Sequence, residues 1–343
     1  MRSTEEGVGV NPAAGRRERE GTHPESLVVL VGPTAVGKTE VSLQLAERLE
    51  GEIVSADSRL FYRGMDVGTA KPTPEERRRV LHHLIDVADP DETWSLALFQ
   101  RAARQAIASI QARGRLPLLV GGTGQYVRAV VDEWEIPAAE PNPSLRKALE
   151  DWAGQVGEEG LHTRLAVLDP AAAGWIDYRN QRRTVRALEV ILSTGRRFSE
   201  QGGRGAQAYR SLMLGLTRPR PELYARIDSR IDAMLEAGFA GEVQALLERG
   251  YPPDLPTMSA IGYQEMVRYI LGKTSLEEAV ASMQRRTRQF VRRQANWFKE
   301  TDPEINWFRV GESTVAELEA VIRGWLESPE SATSDGHRLW GGL

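Results

Sequence analysis

Apolar residues near the beginning of the chain follow two different spacings in turn. Residues 27–31 (LVVLV) are continuously apolar, which is typical of a strand buried on both faces in a parallel sheet. Between residues 40 and 50, Val41, Leu45 and Leu49 recur every four residues, which is the spacing of a helix. The first segment of the chain is therefore predicted to be a strand, a glycine-containing loop and a helix.

The same alternation continues over the next 70 residues. Residues 53–54 begin a second apolar strand, and residues 116–120 (LPLLV) form a third. Between them, Ser95 is placed to cap a helix that runs to Arg113 and has an apolar face made by Leu96, Phe99, Ala103, Ile107 and Ile110. Alternating strands and helices predict an α/β fold with a parallel sheet and flanking helices.

The pattern changes at about residue 134. Residues 134–205 are predicted to be helices punctuated by Pro and Gly, with no strand, and so to form an inserted all-helical subdomain. Residues 211–217 return to a strand, and helices are expected from there to about Trp325. Thr274 and Glu277 have the spacing of a capping box before a long basic helix. We expect a catalytic core of residues 26–133 and 206–326, the insert at 134–205, and disordered tails at 1–25 and 327–343.

Composition and charge narrow the class of protein. The chain has no cysteine, which excludes disulfides, thiolate metal sites and cysteine nucleophiles. No apolar run is long enough to cross a membrane, and the N-terminus lacks the apolar segment of a signal peptide, so a cytoplasmic monomer is the default expectation. The net charge is −4, but residues 279–299 carry six basic side chains and no acid. A second basic cluster, which also favours local binding of a polyanion, comprises Arg179, Arg182, Arg183, Arg186, Arg196 and Arg197.

A complete phosphate-binding motif lies between the first strand and the first helix. Its glycines let backbone N–H groups wrap phosphate oxygens, its lysine neutralises phosphate charge, and the hydroxyl of Thr39 suits Mg²⁺, the expected cofactor. The motif predicts a polyphosphate site and does not specify ATP. This phosphate loop comprises Gly32, Pro33, Thr34, Ala35, Val36, Gly37, Lys38 and Thr39.

Asp57 is the first acidic residue after the second strand. A nucleotide hydrolase usually holds Mg²⁺ with an acid at the end of an apolar strand, but the third strand here runs into residues 121–124 (GGTG), which contain no acid. At the carboxyl edge of a parallel sheet Asp57 would suit a general base or a metal ligand. Capping of the following turn is an equally open interpretation of the same residue.

Taken together, these segments resemble the tRNA dimethylallyltransferases. The matching segments run in order from about residue 28 to 300, and the most specific of them are residues 57–62 (DSRLFY) and 65–72 (MDVGTAKP). The others are the phosphate loop, residues 83–86, 121–126, 181–183, 262–265 and 288–298, and Arg226. The resemblance implies a P-loop NTPase-like sheet with the helical insert.

The resemblance also implies a reaction and roles for some residues. A dimethylallyl group would pass from dimethylallyl diphosphate to N6 of the adenosine 3′ of the anticodon, with the tRNA anticodon stem-loop as partner. The phosphate loop would hold the donor diphosphate rather than ATP. Asp57 would be the general base, Thr123 and Thr39 would touch phosphate or metal, and Arg226 would clamp the diphosphate.

Three segments would face the tRNA on the same basis. Arg146 is a further candidate outside any sharp motif. The sequence departs from the family where Gln125 replaces an often apolar residue, and the absence of cysteine excludes the zinc module of eukaryotic relatives, so the bacterial type is implied. The tRNA-facing residues would be Asp57, Ser58, Arg59 and Leu60, then Gln181, Arg182, Arg183, Thr184 and Val185, then Ser259, Ala260, Ile261, Gly262, Tyr263 and Gln264.

Two other functions stay open on the sequence pattern. A small-molecule or nucleotide kinase using ATP would share the phosphate loop, and a non-catalytic RNA-binding scaffold would share the basic clusters. Without the resemblance, Arg226 and Arg230 would be solvated charges beside a core stripe, and Phe290, Trp297 and Phe298 would be core residues. On the basic helix, Arg288 and Arg292 are expected to contact tRNA phosphates because like charges four residues apart otherwise repel.

Overall fold

The computed structural model describes residues 26–137, 142–206 and 208–328. Its strands are β1 (Ser26–Val31), β2 (Gly51–Ser55), β3 (His82–His83), β4 (Leu116–Gly121), β5 (Trp134–Glu135), β6 (Gly203–Arg204), β7 (Arg210–Thr217) and β8 (Ile305–Arg309). Its α-helices are α1 (Lys38–Arg48), α2 (Pro74–Arg79), α3 (Leu96–Ala112), α4 (Gly124–Val131), α5 (Pro143–Leu168), α6 (Pro170–Trp175), α7 (Gln181–Thr194), α8 (Arg220–Glu236), α9 (Phe239–Glu248), α10 (Tyr263–Ile270), α11 (Leu276–Trp297) and α12 (Thr314–Glu327).

Six strands form one sheet in the order β3-β2-β4-β1-β7-β8, and each of their pairings is parallel. β1 is central, with Val28 opposite Leu118 of β4 and Leu212 of β7. All six residues of β1 are buried because helices cover the sheet, which is why residues 27–31 are continuously apolar. The predicted α/β fold with a parallel sheet is confirmed.

Several predicted boundaries differ from the structure. The first helix spans Lys38–Arg48 rather than residues 40–50, so it begins inside the phosphate loop. The capping box before the basic helix is made by Ser275 and Glu278, one residue later than predicted. Ser95 does cap α3, its hydroxyl accepting from the Leu98 N–H. Of the predicted tails, all but residues 327 and 328 lie outside the described residues.

The edge strand β8 was missed by the sequence analysis, which expected only helices after residue 217. It pairs with β7 through registers such as Met213 opposite Ile305. Only Ile305 of its five residues is buried. A short strand at a sheet edge therefore carries little of the apolar pattern that identified the central strands.

The insert forms a second packing unit joined to the sheet domain by a small strand pair. β5 and β6 pair antiparallel, with Trp134 opposite Arg204 and Glu135 opposite Gly203. The expectation of an insert without strands is therefore wrong at both of its ends, where two-residue strands are too short to show a period. Helices α5, α6 and α7 pack around an apolar cluster separate from the main core: Leu149, Ala153, Leu161, Leu165, Ala172, Ile176, Val185, Ala187 and Leu188.

Among the helices that the structure describes, none is both long and apolar enough to cross a membrane. This agrees with the apolar runs in the sequence, which end after a few residues.

Candidate active site

The phosphate loop turns sharply at two glycines. A Cβ on Gly32 would stand 2.7 Å from the Leu216 carbonyl oxygen, and Gly37 has a left-handed φ of 113° just before α1 begins. The Lys38 ammonium donates to the carbonyl oxygens of Gly32 and Pro33, at 2.9 Å each. Burial lowers the pKa of Lys38 to about 8, with Asp57 raising it and Arg230 lowering it. The loop thus holds a lysine whose charge lacks bulk solvation, which suits capture of an anion.

Asp57 lies in the turn directly after β2. Its Oδ1 accepts from the backbone N–H of Arg59 at 3.0 Å, and its own N–H donates to the Ser55 hydroxyl at 3.3 Å. The residue also lines a recess beside the phosphate loop. Asp57 therefore caps the turn and also has a position suited to catalysis.

That recess is a cavity of about 540 Å³. Its lining includes the polar side chains of Asp57, Thr123, Arg230 and Arg293. It also includes the apolar side chains of Ile231, Met234, Met283 and Phe290. A ligand with a charged end and a short hydrocarbon end would suit this mixed lining.

Arg230 is a site residue that the sequence analysis wrongly took for a solvated charge. It lines the cavity, and its Nη2 donates to the Thr69 carbonyl oxygen at 3.2 Å. Burial lowers its pKa, while the negative charge of Asp57 acts in the opposite direction. Its spacing of four residues from Arg226 puts both on one face of α8, and that spacing was the available sequence signal.

Arg226 itself is exposed and contacts the phosphate loop. Its Nε donates to the Ala35 carbonyl oxygen at 2.7 Å. Thr39 is also exposed, in the first turn of α1. Within the described residues no group of three or more His, Asp or Glu side chains could hold a metal ion. A Mg²⁺ ion here would depend on Thr39, ligand phosphates and water, and Mg²⁺ commonly binds with few protein ligands.

Glu242, on α9, was not found by the sequence analysis, although it holds the loop of residues 66–68. Its carboxylate accepts from the backbone N–H groups of Asp66 at 2.8 Å, Val67 at 2.7 Å and Gly68 at 3.1 Å. It also accepts from the Tyr263 hydroxyl at 2.6 Å, and burial together with this carboxylate raises the pKa of Tyr263. The Glu242 carboxylate therefore holds residues 66–68 in place. These residues lie next to Thr69, whose carbonyl oxygen accepts from Arg230.

The glycines of the GGTG loop, residues 121–124, allow other segments to approach closely. A Cβ on Gly121 would lie 2.4 Å from the Ala56 carbonyl oxygen. On Gly122 it would lie 2.3 Å from Gln294 Nε2, and on Gly124 it would lie 2.2 Å from the ring of Trp297. Helix α11 can therefore pack against this loop only because Gly122 and Gly124 have no side chains. Thr123 remains between them as a lining residue of the cavity.

Two of the three segments predicted to face tRNA meet at the cavity. Its lining residues include Ser58 and Arg59 of the first segment and Ser259, Ala260, Ile261 and Tyr263 of the other. Leu60 is half-buried behind them, and its N–H donates to the Asp57 carbonyl oxygen. Gly262 is buried at the start of α10, and Gln264 is exposed and accepts from Arg286 at 2.6 Å. Tertiary structure thus brings residues about 200 positions apart to one opening.

The third segment, in the insert, is divided between surface and core. Gln181 and Arg182 line an open depression together with Glu150 and Arg179. Thr184 is fully buried and offers no contact surface, whereas Val185, at 3% exposure, packs in the insert core and also borders this depression. The expectation that all five residues face tRNA is therefore not matched for Thr184, because the helical period of about 3.6 residues turns this position of α7 inward.

Two arginines proposed as tRNA contacts are engaged within the insert. Arg146 forms an ion pair of 2.7 Å with Glu189, a carboxylate with no exposed surface. The guanidinium of Arg183 lies 4.8 Å from the centre of the Trp175 ring, and burial lowers its pKa. Both side chains contribute to packing in this structure.

The basic helix α11 is partly neutralised by acids on neighbouring helices. Arg288 Nη2 donates to both carboxylate oxygens of Asp228 on α8, at 2.6 and 2.8 Å. Arg286 pairs with Glu265 on α10, while Arg292 is exposed. In this structure the charge of Arg288 is therefore balanced by Asp228, an internal pairing that the expectation of a tRNA phosphate contact did not include.

The aromatic residues near the end of α11 have two different environments. Phe298 is a core residue, whereas Phe290 and Trp297 line the cavity.

Comparison with known proteins decides the family. A tRNA dimethylallyltransferase of Roseiflexus sp. is 50% identical over 303 residues, covering 88% of this chain and 99% of its own. The family model described as IPP transferase matches residues 60–301, and that described as isopentenyl transferase matches residues 25–86. This chain belongs to the tRNA dimethylallyltransferase family. The resemblance predicted from its motifs is confirmed.

Other members of the family are also similar in sequence and in fold. A tRNA dimethylallyltransferase of Thermomicrobium roseum is 49% identical, covering 92% of this chain and 96% of its own. The tRNA isopentenylpyrophosphate transferase of Bacillus halodurans superposes with a TM-score of 0.66 at 43% identity, covering 88% and 97% of the two chains. A eukaryotic dimethylallyltransferase acting on tRNA superposes with a TM-score of 0.72 at 26% identity, covering 88% and 77%. The fold is P-loop NTPase-like, as predicted.

Proposed function

We propose that this enzyme transfers the dimethylallyl group of dimethylallyl diphosphate to N6 of the adenosine 3′ of the anticodon in tRNA. The observation that carries the proposal is the cavity beside the phosphate loop. It combines a carboxylate, Asp57, with the cation Arg230 and several apolar side chains, next to a loop that bears Lys38. These are the three chemistries that an amine acceptor and an allylic diphosphate donor require.

The chemical step needs one bond formed and one broken. The adenine N6 lone pair attacks C1 of the allylic group, and the C1–O bond breaks with its electrons leaving on the diphosphate. Asp57 accepts the proton that N6 loses, which is the role of a general base within hydrogen-bond reach of the amine. The products are N6-isopentenyladenosine in the tRNA and free diphosphate.

The phosphate loop stabilises the negative charge that develops on the leaving group. Lys38 and Arg230 supply positive charge, Arg226 braces the loop at Ala35, and Thr123 presents a hydroxyl from the facing loop. Preorganised cations and dipoles of this kind are usually the largest contribution to catalysis. Mg²⁺ held by Thr39 would neutralise further phosphate charge when bound.

The tRNA would reach the cavity from the opening lined by Ser58, Arg59, Ser259 and Ile261. The target base has to leave its stack, which costs a few kcal/mol and is commonly offset by stacking on aromatic or arginine side chains. Phe290 and Arg293 line the cavity and are available for that contact. We assign the exposed side of the insert, around Gln181 and Arg182, to binding of the anticodon stem-loop. The ATP-dependent kinase considered from the motif alone is not favoured, since the relatives are tRNA-modifying enzymes.

A label-transfer experiment tests the proposed function directly. The protein is incubated with dimethylallyl diphosphate labelled in the allylic group, with and without unmodified tRNA, and in parallel with γ-labelled ATP. We expect allylic label in tRNA, donor consumption only when tRNA is present, and no transfer of phosphate from ATP. Phosphorylation of an added small acceptor, with no allylic label in tRNA, would refute the proposal.

The basic helix yields a prediction that separates a tRNA contact from an internal ion pair. Arg292→Gln is expected to flatten the slope of log K against log salt for tRNA binding by about 0.7–0.9, the contribution of one phosphate contact. Arg288→Gln is expected to leave that slope nearly unchanged and to lower thermal stability, because it unpairs Asp228. Filter binding over a range of salt concentrations, with melting curves for both variants, makes the comparison. Equal flattening by both variants would place Arg288 on the tRNA path instead.

A further inference from the structure

One buried amide side chain connects the phosphate loop to the GGTG loop. Gln294, on α11, is 6% exposed. Its Oε1 accepts from the backbone N–H of Thr34 in the phosphate loop at 2.9 Å, and its Nε2 donates to the carbonyl oxygen of Gly122 in the GGTG loop at 3.0 Å. The three segments are far apart in sequence, with separations of 260 and 172 residues.

The chemistry of the contact is specific to an amide. The Thr34 N–H requires an acceptor and the Gly122 carbonyl requires a donor, and a glutamine side chain provides one of each. These partners also settle which end of the amide is oxygen and which is nitrogen. Gly122 has no Cβ at the place that Gln294 Nε2 occupies, so backbone and side chain are fitted to each other.

We propose that Gln294 is a positioning residue for the transfer reaction, setting the distance between the phosphate loop and Thr123; the inference rests on the proposed function. Thr34 and Thr123 both line the cavity, and Thr123 directly follows the glycine that Gln294 holds. A leaving diphosphate gripped by both loops needs their spacing to be correct at the moment of bond breaking. Displacements of about 1 Å in a site of this kind cost about 100-fold in rate.

A purely structural glutamine and a positioning glutamine predict different behaviour in a titratable variant. In Gln294→Glu, the protonated acid keeps the acceptor for Thr34 and supplies an O–H donor to Gly122. The ionised form keeps only the acceptor and sets a negative charge against a carbonyl oxygen. Burial raises the pKa of such a carboxyl. The transfer activity of Gln294→Glu should therefore be close to that of the wild type at low pH. It should be lost as the pH rises through the raised pKa of the introduced carboxyl.

The test measures kcat for transfer from about pH 5.5 to about pH 8.5. The kcat of each variant is divided by that of the wild type at the same pH. We expect Gln294→Glu to lie within about threefold of the wild type at the acid end and to fall about 10- to 100-fold below it at the alkaline end. Gln294→Leu cannot titrate, so its ratio should be low and flat. Gln105→Glu, at an exposed position of α3, adds the same charge and should give a ratio near one throughout.

Binding and melting measurements complete the design. Melting temperature and the Kd for tRNA are measured for each variant over the same pH range. A kcat ratio for Gln294→Glu that is independent of pH, or one that only follows a pH-dependent loss of folded protein, would overturn the positioning role. Absence of allylic transfer by the wild type would instead defeat the proposed function, so the two failures are distinguishable. If neither Gln294 variant folds at any pH, the residue is a structural one and the inference is wrong.

Discussion

Asp57→Asn is expected to lower kcat for dimethylallyl transfer by about 10²–10⁴, the usual contribution of a general base. Asparagine is nearly the same size, and its side-chain oxygen still accepts from the Arg59 N–H, so the turn after β2 is preserved. What it loses is the ability to take the N6 proton. Single-turnover transfer with saturating tRNA and donor measures the effect on the chemical step.

The control for this prediction separates catalysis from folding. Asp232→Asn, at an exposed position of α8, removes the same charge and should leave kcat and melting temperature near the wild-type values. For Asp57→Asn we expect an unchanged melting temperature and nearly unchanged binding of tRNA. Retention of wild-type kcat would leave Asp57 only its turn-capping role and assign the proton acceptor to another group.

Lys38→Met is expected to lower kcat/KM for dimethylallyl diphosphate by about 10²–10³, as for removal of one group that stabilises charge in a transition state. Methionine keeps much of the length and apolar character of the stem but removes the ammonium from the phosphate loop. The Kd for tRNA should change little. Lys273→Met, at an exposed position between α10 and α11, is the matched control and should retain full activity. An unaltered kcat/KM would show that the loop binds the donor without its lysine.

The lowered pKa of Lys38 adds a pH signature to this prediction. Because burial brings that pKa to about 8, the free enzyme holds the cation below that value and loses it above. kcat/KM for the donor should therefore fall as the pH rises past about 8. A bound diphosphate stabilises the ammonium, so kcat should hold to higher pH than kcat/KM. Lys38→Met should lack this alkaline limb, and a limb that persists in the variant would belong to a different group.

The candidate site forms where several loops come together, and polar side chains of neighbouring helices hold these loops in place. Glu242 fixes the turn of residues 66–68, Gln294 ties the phosphate loop to the GGTG loop, and Arg230 connects the Thr69 carbonyl to the region of Asp57. Each of these groups makes hydrogen bonds to backbone atoms of a loop at the site, and for the buried Gln294 such bonds are what make burial of a polar group tolerable. Loss of one partner would leave a buried group unsatisfied and shift the loop it holds.

Sequence alone was sufficient for features encoded by neighbouring residues. Continuous apolar runs identified β1 and β4, a four-residue period identified α1 and α3, and the phosphate loop followed from its glycines and lysine. Asp57 could be placed at the sheet edge because it follows directly after β2. These features depend on sterics and hydrogen bonds between residues close in the sequence. Their patterns can therefore be recognised without knowing which other segments pack against them. The two-residue strands β5 and β6 and the edge strand β8 were too short or too exposed to show one.

Tertiary structure alone decided which helix residues belong to the site. Arg230, Glu242 and Gln294 lie on three different helices. Arg230 offered only its spacing from Arg226 as a local signal, and nothing in the local patterns of the other two distinguishes them from ordinary helix-face residues. Likewise, burial of Thr184 and pairing of Arg288 with Asp228 depend on how α7 and α11 are rotated against their neighbours. Each residue along a helix turns it by about 100°, so a shift of one position changes which side chain faces the cavity. The sequence therefore determined the four inner strands of the sheet, the phosphate loop and the family. Long-range packing of α8, α9 and α11 determined the remaining walls of the site.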